Sequence, residues 1–213
     1  MDFYYNSWRL VPANVIWGVL LLVVFTASAI WLPLILLAST LAVPVAGMAR
    51  MAVLIQRERG ASFSDFFNGI RHWGLPAFAV GLATTVLALI FTVNIFIGLD
   101  MGGLLGMVFS GFALYGDIGL AMFLVAFWPI LVDPLRQELP LRRRVWLAVV
   151  INVARPGRMF ALTFVLVALL VVSTVFLAAL LTISVAYASL VSTRYVLPAI
   201  DRLEGRPSAP APE

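Results

Sequence analysis

Asp117 is the residue of this sequence with the most chemistry to offer. It is the only charge between Met101 and Val132. A carboxylate inside a membrane span usually faces the bundle interior, and often marks a path for protons, ions or substrate. A second reading competes and is the one expected here. Gly116, Asp117, Ile118 and Gly119 break the helix, and Asp117 caps a shorter span at the outer surface. If Asp117 is buried instead, Asn94, Ser173 or Thr174 is its expected partner. Asn14, Asn94 and Asn152 complete the candidate intramembrane polar set. Buried amides commonly bond across helices, at about 0.6–2 kcal/mol each, and that role is expected for all three. His72, the one histidine, lies between Arg71 and Trp73 and reads as interfacial rather than as a ligand or base.

Signatures of catalysis are missing. The sequence has no Walker A motif, no His-Glu-x-x-His, no Gly-x-Ser-x-Gly and no metal-ligand cluster. It has no cysteine, which excludes disulfides, thiolate metal sites and cysteine nucleophiles. No enzyme activity, cofactor or metal is expected, and energy for any active transport would come from another subunit.

The elements that hold these residues are read from charge. All fourteen positive charges are arginines, clustered between stretches without charge: residues 10–49, 73–99 and 159–193. A spanning helix needs about 20 mostly apolar residues, and a charge at the bilayer centre costs at least about 2.5 kcal/mol. The chain is 63% hydrophobic with a mean hydropathy of +1.06, against about 45–50% apolar in soluble domains. The fold class is therefore all-α, a polytopic transmembrane bundle.

Proline 33 disfavours helix in the residue before it, which predicts spans at 13–31 and 34–54. Residues 73–99 form the third span. Residues 104–132 form the fourth, whole or broken, ending at Asp133-Pro134. One straight helix over 159–193 would run about 52 Å. Fitting it into a core of about 30 Å needs an excessive tilt, so two short spans with a turn near 173–176 fit better. Six spans with both termini cytoplasmic put every arginine on one side, as the positive-inside rule asks. A five-span count is the alternative. That rule, rather than nucleic acid, accounts for the net charge of +4.

Two cytoplasmic segments have the pattern of helices lying on the membrane. Phe63, Phe66, Phe67 and Ile70 share a face, with Ser62 or Ser64 as the cap. Val145, Trp146, Val149, Val150 and Val153 share another, and Pro156-Gly157 ends that run. Residues 1–203 make one domain, and 204–213, with Pro207, Pro210 and Pro212, read as a disordered tail.

Ala38, Ala42 and Ala46 are spaced by four, as are Gly102, Gly106 and Ser110. Such faces let helix backbones approach closely, within the chain or against another subunit. Arg142, Arg143, Arg144, Arg155 and Arg158 could meet anionic headgroups or a partner. The absence of lysine beside abundant alanine, arginine, glycine and proline suggests a GC-rich bacterial genome, hence a bacterial cytoplasmic membrane.

Several short patterns recur in order. Asn14-Val15-Ile16-Trp17 opens the first span, and Pro44 lies in a small-residue stretch leading to Arg50. Ser64-Asp65-Phe66-Phe67 follows Gly60. Phe127-Trp128-Pro129 closes the fourth span, and Asn152-Val153-Ala154-Arg155 leads into the fifth. This order resembles the YesL-like family of small bacterial membrane proteins, a domain of unknown function. The resemblance runs from Asn14 to Arg194. It implies an accessory role in carbohydrate uptake, beside ABC-type permease subunits or with copies of itself. The alternative is a small-molecule-binding membrane subunit similar to the substrate-binding components of energy-coupling-factor importers, docked through Ala38, Ala42 and Ala46.

Overall fold

The computed structural model describes residues 2–58, 60–177 and 180–206, which are mostly helical and contain no strand. Arg59 and the expected tail segment 207–213 lie outside them. Helix α1 (Asp2–Ile30) ends at Trp31, whose backbone is extended (φ −147°, ψ 109°), and Pro33 sits in the first turn of a 3-10 helix (Leu32–Leu41). Ser39 and Thr40 donate to carbonyls three residues back, Leu36 at 2.7 Å and Leu37 at 2.6 Å, which suits the tighter winding. The segment continues as α2 (Ala42–Glu58). Then come α3 (Phe63–Met101), α4 (Gly103–Val132), a short 3-10 turn (Pro134–Arg136), α5 (Leu141–Ala154) and α6 (Pro156–Val175). A π turn (Leu180–Ser184) leads into α7 (Val185–Leu203).

Among the described residues six helical stretches are long and apolar enough to cross a membrane: Arg9–Ile30, Leu32–Arg57, Phe63–Met101, Gly103–Val132, Pro156–Val175 and Leu181–Leu203. The chain is a multi-pass helical membrane protein. The break between the last two falls at Phe176, within the expected turn and without a Gly or Pro to make it.

The two segments expected to lie on the membrane differ. The first is no separate helix. Ser62 caps it, accepting from Ser64 N–H at 3.3 Å, while Asp65 Oδ2 accepts from Ser62 N–H at 2.7 Å. The helix then runs on through Gly74 and Pro76 to Met101. Its aromatic face divides: Phe66 is fully buried and Phe67 half-exposed. The second, α5, is separate, because Arg155 leaves helical geometry and Pro156 starts a new helix. Its buried side carries Leu147, Ala148 and Ile151, whereas Trp146, Val149 and Val153 face outward.

The core sits at one end of the bundle. Residues 46–49 and 51–55 of α2 are buried, and α2 touches α1, α3, α4 and α7. One cluster joins α2 to α4, α5 and α7 through Val53, Phe127, Ile130, Ile151 and Leu197. Another joins it to α1 and α3 through Leu10, Met48, Met51 and Phe66. Small residues let α2 and α3 meet. A Cβ added at Gly69 would stand 3.0 Å from Gly47 Cα, and one at Gly81 would stand 2.9 Å from Ser39 O. Toward the other end, Phe25, Phe96, Leu104, Leu105, Met107 and Phe112 are exposed. An outward apolar belt of this kind suits lipid, which imposes no penalty on it.

Candidate functional site

The polar side chains gather where the arginines are. Arg9 donates to the Ala61 carbonyl, joining the start of α1 to the α2–α3 link. The last carbonyls of α4 have no partner within the helix. Two guanidiniums supply donors: Arg50 Nη1 reaches Val132 O at 2.9 Å and Arg144 Nη1 reaches Leu131 O at 2.6 Å. Positive charge at a helix C-terminus also complements its dipole. Arg144 Nη2 donates to Gln137 O at 2.6 Å, and its guanidinium lies 4.1 Å over the Trp73 ring. Burial pushes the Arg144 guanidinium below its ordinary range, with the Asp133 charge opposing.

Beside these caps lies a buried ion-pair network. Arg57 of α2 grips Asp133 with Nη2 at 2.8 Å and Nε at 3.3 Å, and Asp201 of α7 with Nη1 at 2.7 Å and Nη2 at 3.1 Å. Arg136 donates to Asp133, to Asp201 Oδ1 at 2.7 Å and to Glu204 Oε2 at 2.6 Å. Burial alone would lower the Arg136 guanidinium, but hydrogen bonding to Asp201 and the charges of Asp133 and Glu204 raise it above its ordinary range. Arg206 lies 3.4 Å from Glu204 and donates to Leu135 O at 3.1 Å. Three guanidiniums thus meet three carboxylates across α2, the α4–α5 link and the end of α7. Removing one partner of such a group strands a buried charge, at about 3–5 kcal/mol. The carboxylates accept from guanidiniums at every pair, so the arrangement clamps helices and offers no free base.

The tail boundary shifts accordingly. Residues 204–206 belong to the folded body rather than to a disordered tail, because Glu204 and Arg206 are held in this network. Arg144 is likewise not a lipid or partner contact: it is buried against α4 and Trp73. Arg142, Arg143 and Arg158 are exposed, and Arg155 is half-buried.

Asp117 caps no helix. It sits in the middle of an unbroken α4, half-buried, with Thr92 Oγ1 of α3 donating to Oδ2 at 3.5 Å. Its partner is neither Asn94, Ser173 nor Thr174. Ser173 instead accepts from Ser184 Oγ at 2.7 Å, and Thr174 donates to Val171 O at 2.6 Å. Asn14 is fully buried, and its Oδ1 accepts from Ala186 N–H at 2.8 Å, where the π turn gives way to α7. Asn152 Nδ2 donates across to Met122 O of α4 at 3.3 Å and to Ala148 O at 2.8 Å. Asn94 is half-buried. Asp117, Asn14 and Asn152 therefore lie at separate helix contacts rather than around one cavity.

The small-residue faces are used within the chain. Ala42 and Ala46 are buried, and a Cβ at Gly81 would stand 2.5 Å from Ala42 Cβ. Ala38 lies on the 3-10 helix, so the three alanines do not share one α-helical face. Gly106 backs directly on Gly98, and Ser110 Oγ donates to Ile95 O at 3.0 Å, closing α3 on α4. Gly102 makes the turn between them at φ +64°. His72 is exposed.

Sequence reasoning passed over Asp133 and Asp201 as site residues and read Arg57 and Arg136 for topology alone. The available signal was an acidic residue at the arginine-rich end of each of two spans. No family model, curated protein or solved structure matches the chain.

Proposed function

We propose that the chain is a non-enzymatic accessory protein of a bacterial cytoplasmic membrane, serving carbohydrate uptake of the ABC type. One observation carries the non-catalytic part. The buried arginines and carboxylates at the arginine-rich end are paired with each other or with helix-end carbonyls, so their chemistry goes into holding helices. The carbohydrate context comes from the YesL-like resemblance. The positive-inside rule places the arginine-rich end, and with it both termini, in the cytoplasm. On that face Arg142, Arg143 and Trp146 border an open cleft of about 560 Å³ on α5, suited to anionic headgroups or to a permease subunit. The interior use of Ala42 and Ala46 counts against docking in the manner of energy-coupling-factor components.

The test pairs mild-detergent affinity purification with sugar uptake in a deletion strain. Co-isolation of permease subunits together with impaired uptake is the expected result. Repeated recovery of the chain alone, with uptake unchanged, would reject the proposal.

A further inference from the structure

A second polar cleft, of about 350 Å³, opens at the arginine-rich end outside the ion-pair network. Arg50 lines it from α2, Asn68, His72 and Trp73 from the start of α3, and Gln137 from the link after α4. Asp65 also lines it, with Oδ2 engaged by Ser62 N–H. Arg50 donates Nη1 to Val132 O and forms no ion pair among the described residues, so it brings spare donors to the cleft. Arg144 stands behind Trp73 and does not line the cleft. His72 Nδ1 lies 2.9 Å from Asn68 O. A carbonyl only accepts, so Nδ1 donates to it and Nε2 is an acceptor, placed to take a ligand hydroxyl rather than a phosphate oxygen. Asn68 and Gln137 are exposed and add amide donors.

We propose that this cleft binds the phosphate of an anionic phospholipid headgroup. Arg50 is the one guanidinium lining the cleft, and the single carboxylate, Asp65, is already engaged by a backbone amide at the start of α3, where the helix dipole offsets its charge. A guanidinium fork matches phosphate oxygens in geometry and charge. Amide N–H groups supply the remaining donors. The volume falls in the range of small-molecule sites, about 300–1,000 Å³, leaving room for a glycerol beside the phosphate. Position decides between a lipid and a soluble phosphate. Trp73 opens the charge-free stretch 73–99, so the cleft lies at the level of the headgroups, where tryptophan is enriched.

The experiment is native mass spectrometry of the full chain in detergent, titrated with dioctanoyl phosphatidylglycerol and, separately, inorganic phosphate. One lipid should bind per chain. Asn68→Asp, which places a carboxylate in the cleft, should weaken binding about tenfold, the scale of one charge-assisted hydrogen bond. Arg50→Gln should do the same. Arg71→Gln removes an exposed guanidinium beside the cleft and should leave affinity unchanged. Asn68 is exposed, so its variant remains informative if Arg50→Gln disturbs α4. Equal affinity in Asn68→Asp and the parent chain overturns the site. Displacement of the lipid by inorganic phosphate at equal concentration overturns the headgroup assignment.

Discussion

Arg136 and Asp201 stand 65 positions apart, yet Nη2 of one donates to Oδ1 of the other at 2.7 Å, with side-chain exposures of 0% and 2%. The pair fastens the end of the last helix to the link after α4. Asp201 also accepts from Arg57, so one carboxylate serves two buried guanidiniums.

Asp201→Ala should therefore lower stability by about 3–5 kcal/mol. Glu204→Gln should cost less, because Glu204 is 19% exposed and pairs with only one buried arginine. Thermal unfolding of the purified protein in detergent ranks the two. Equal midpoints would contradict a buried network centred on Asp201.

Gly81→Ala should force α2 and α3 apart, since the new Cβ would meet Ser39 O at 2.9 Å and Ala42 Cβ at 2.5 Å. Overpacking of this kind costs about 1–3 kcal/mol. Gly119→Ala, with nothing within 4 Å of its Cβ, should leave the unfolding midpoint unchanged or slightly raised. A comparable loss from both variants would argue against the close α2–α3 contact.

Asn14→Val removes the acceptor of Ala186 N–H inside the bundle. The expected loss is about 1–3 kcal/mol for a buried donor left unsatisfied. Asn94→Val, at a half-buried position on α3, should be close to neutral. If the two variants unfold together, the Asn14 bond does not hold α1 to α7.

A cysteine at position 117 should resist membrane-impermeant thiol reagents, because Asp117 lies midway along a continuous spanning helix. Asp100 is exposed near the α3–α4 turn, and a cysteine there should label readily. Labelling at 117 as fast as at 100 would mean that α4 does not cross unbroken.

The spans were legible because desolvation acts on every residue in turn. A run without charge, such as 73–99, announces itself with no knowledge of what it packs against. Trp31-Pro33 was legible for the same local reason. Asp117 was misread because Gly116 and Gly119 break helices in water. Within lipid no solvent exists to satisfy freed backbone groups, so the helix persists. The first surface segment was misread because its helix runs on unbroken into the apolar span of α3. The network was not legible, because Arg57 finds Asp133 and Asp201 at separations of 76 and 144 residues. No local pattern specifies such pairs, although Asp133 was already visible as the end of its span.

The network also imposes an order in time. Asp201 and Glu204 are synthesised after Arg57, Asp133 and Arg136. Until they arrive, Arg57 and Arg136 have only Asp133 between them. A half-made chain therefore carries an excess positive charge at this end, and that charge opposes its burial. Asp201 of α7 and Glu204 just after it bring two carboxylates together and quench the excess. Docking of α7 thus completes the charge balance at this end, and a nascent chain stalled before Asp201 would keep Arg57 and Arg136 open to water.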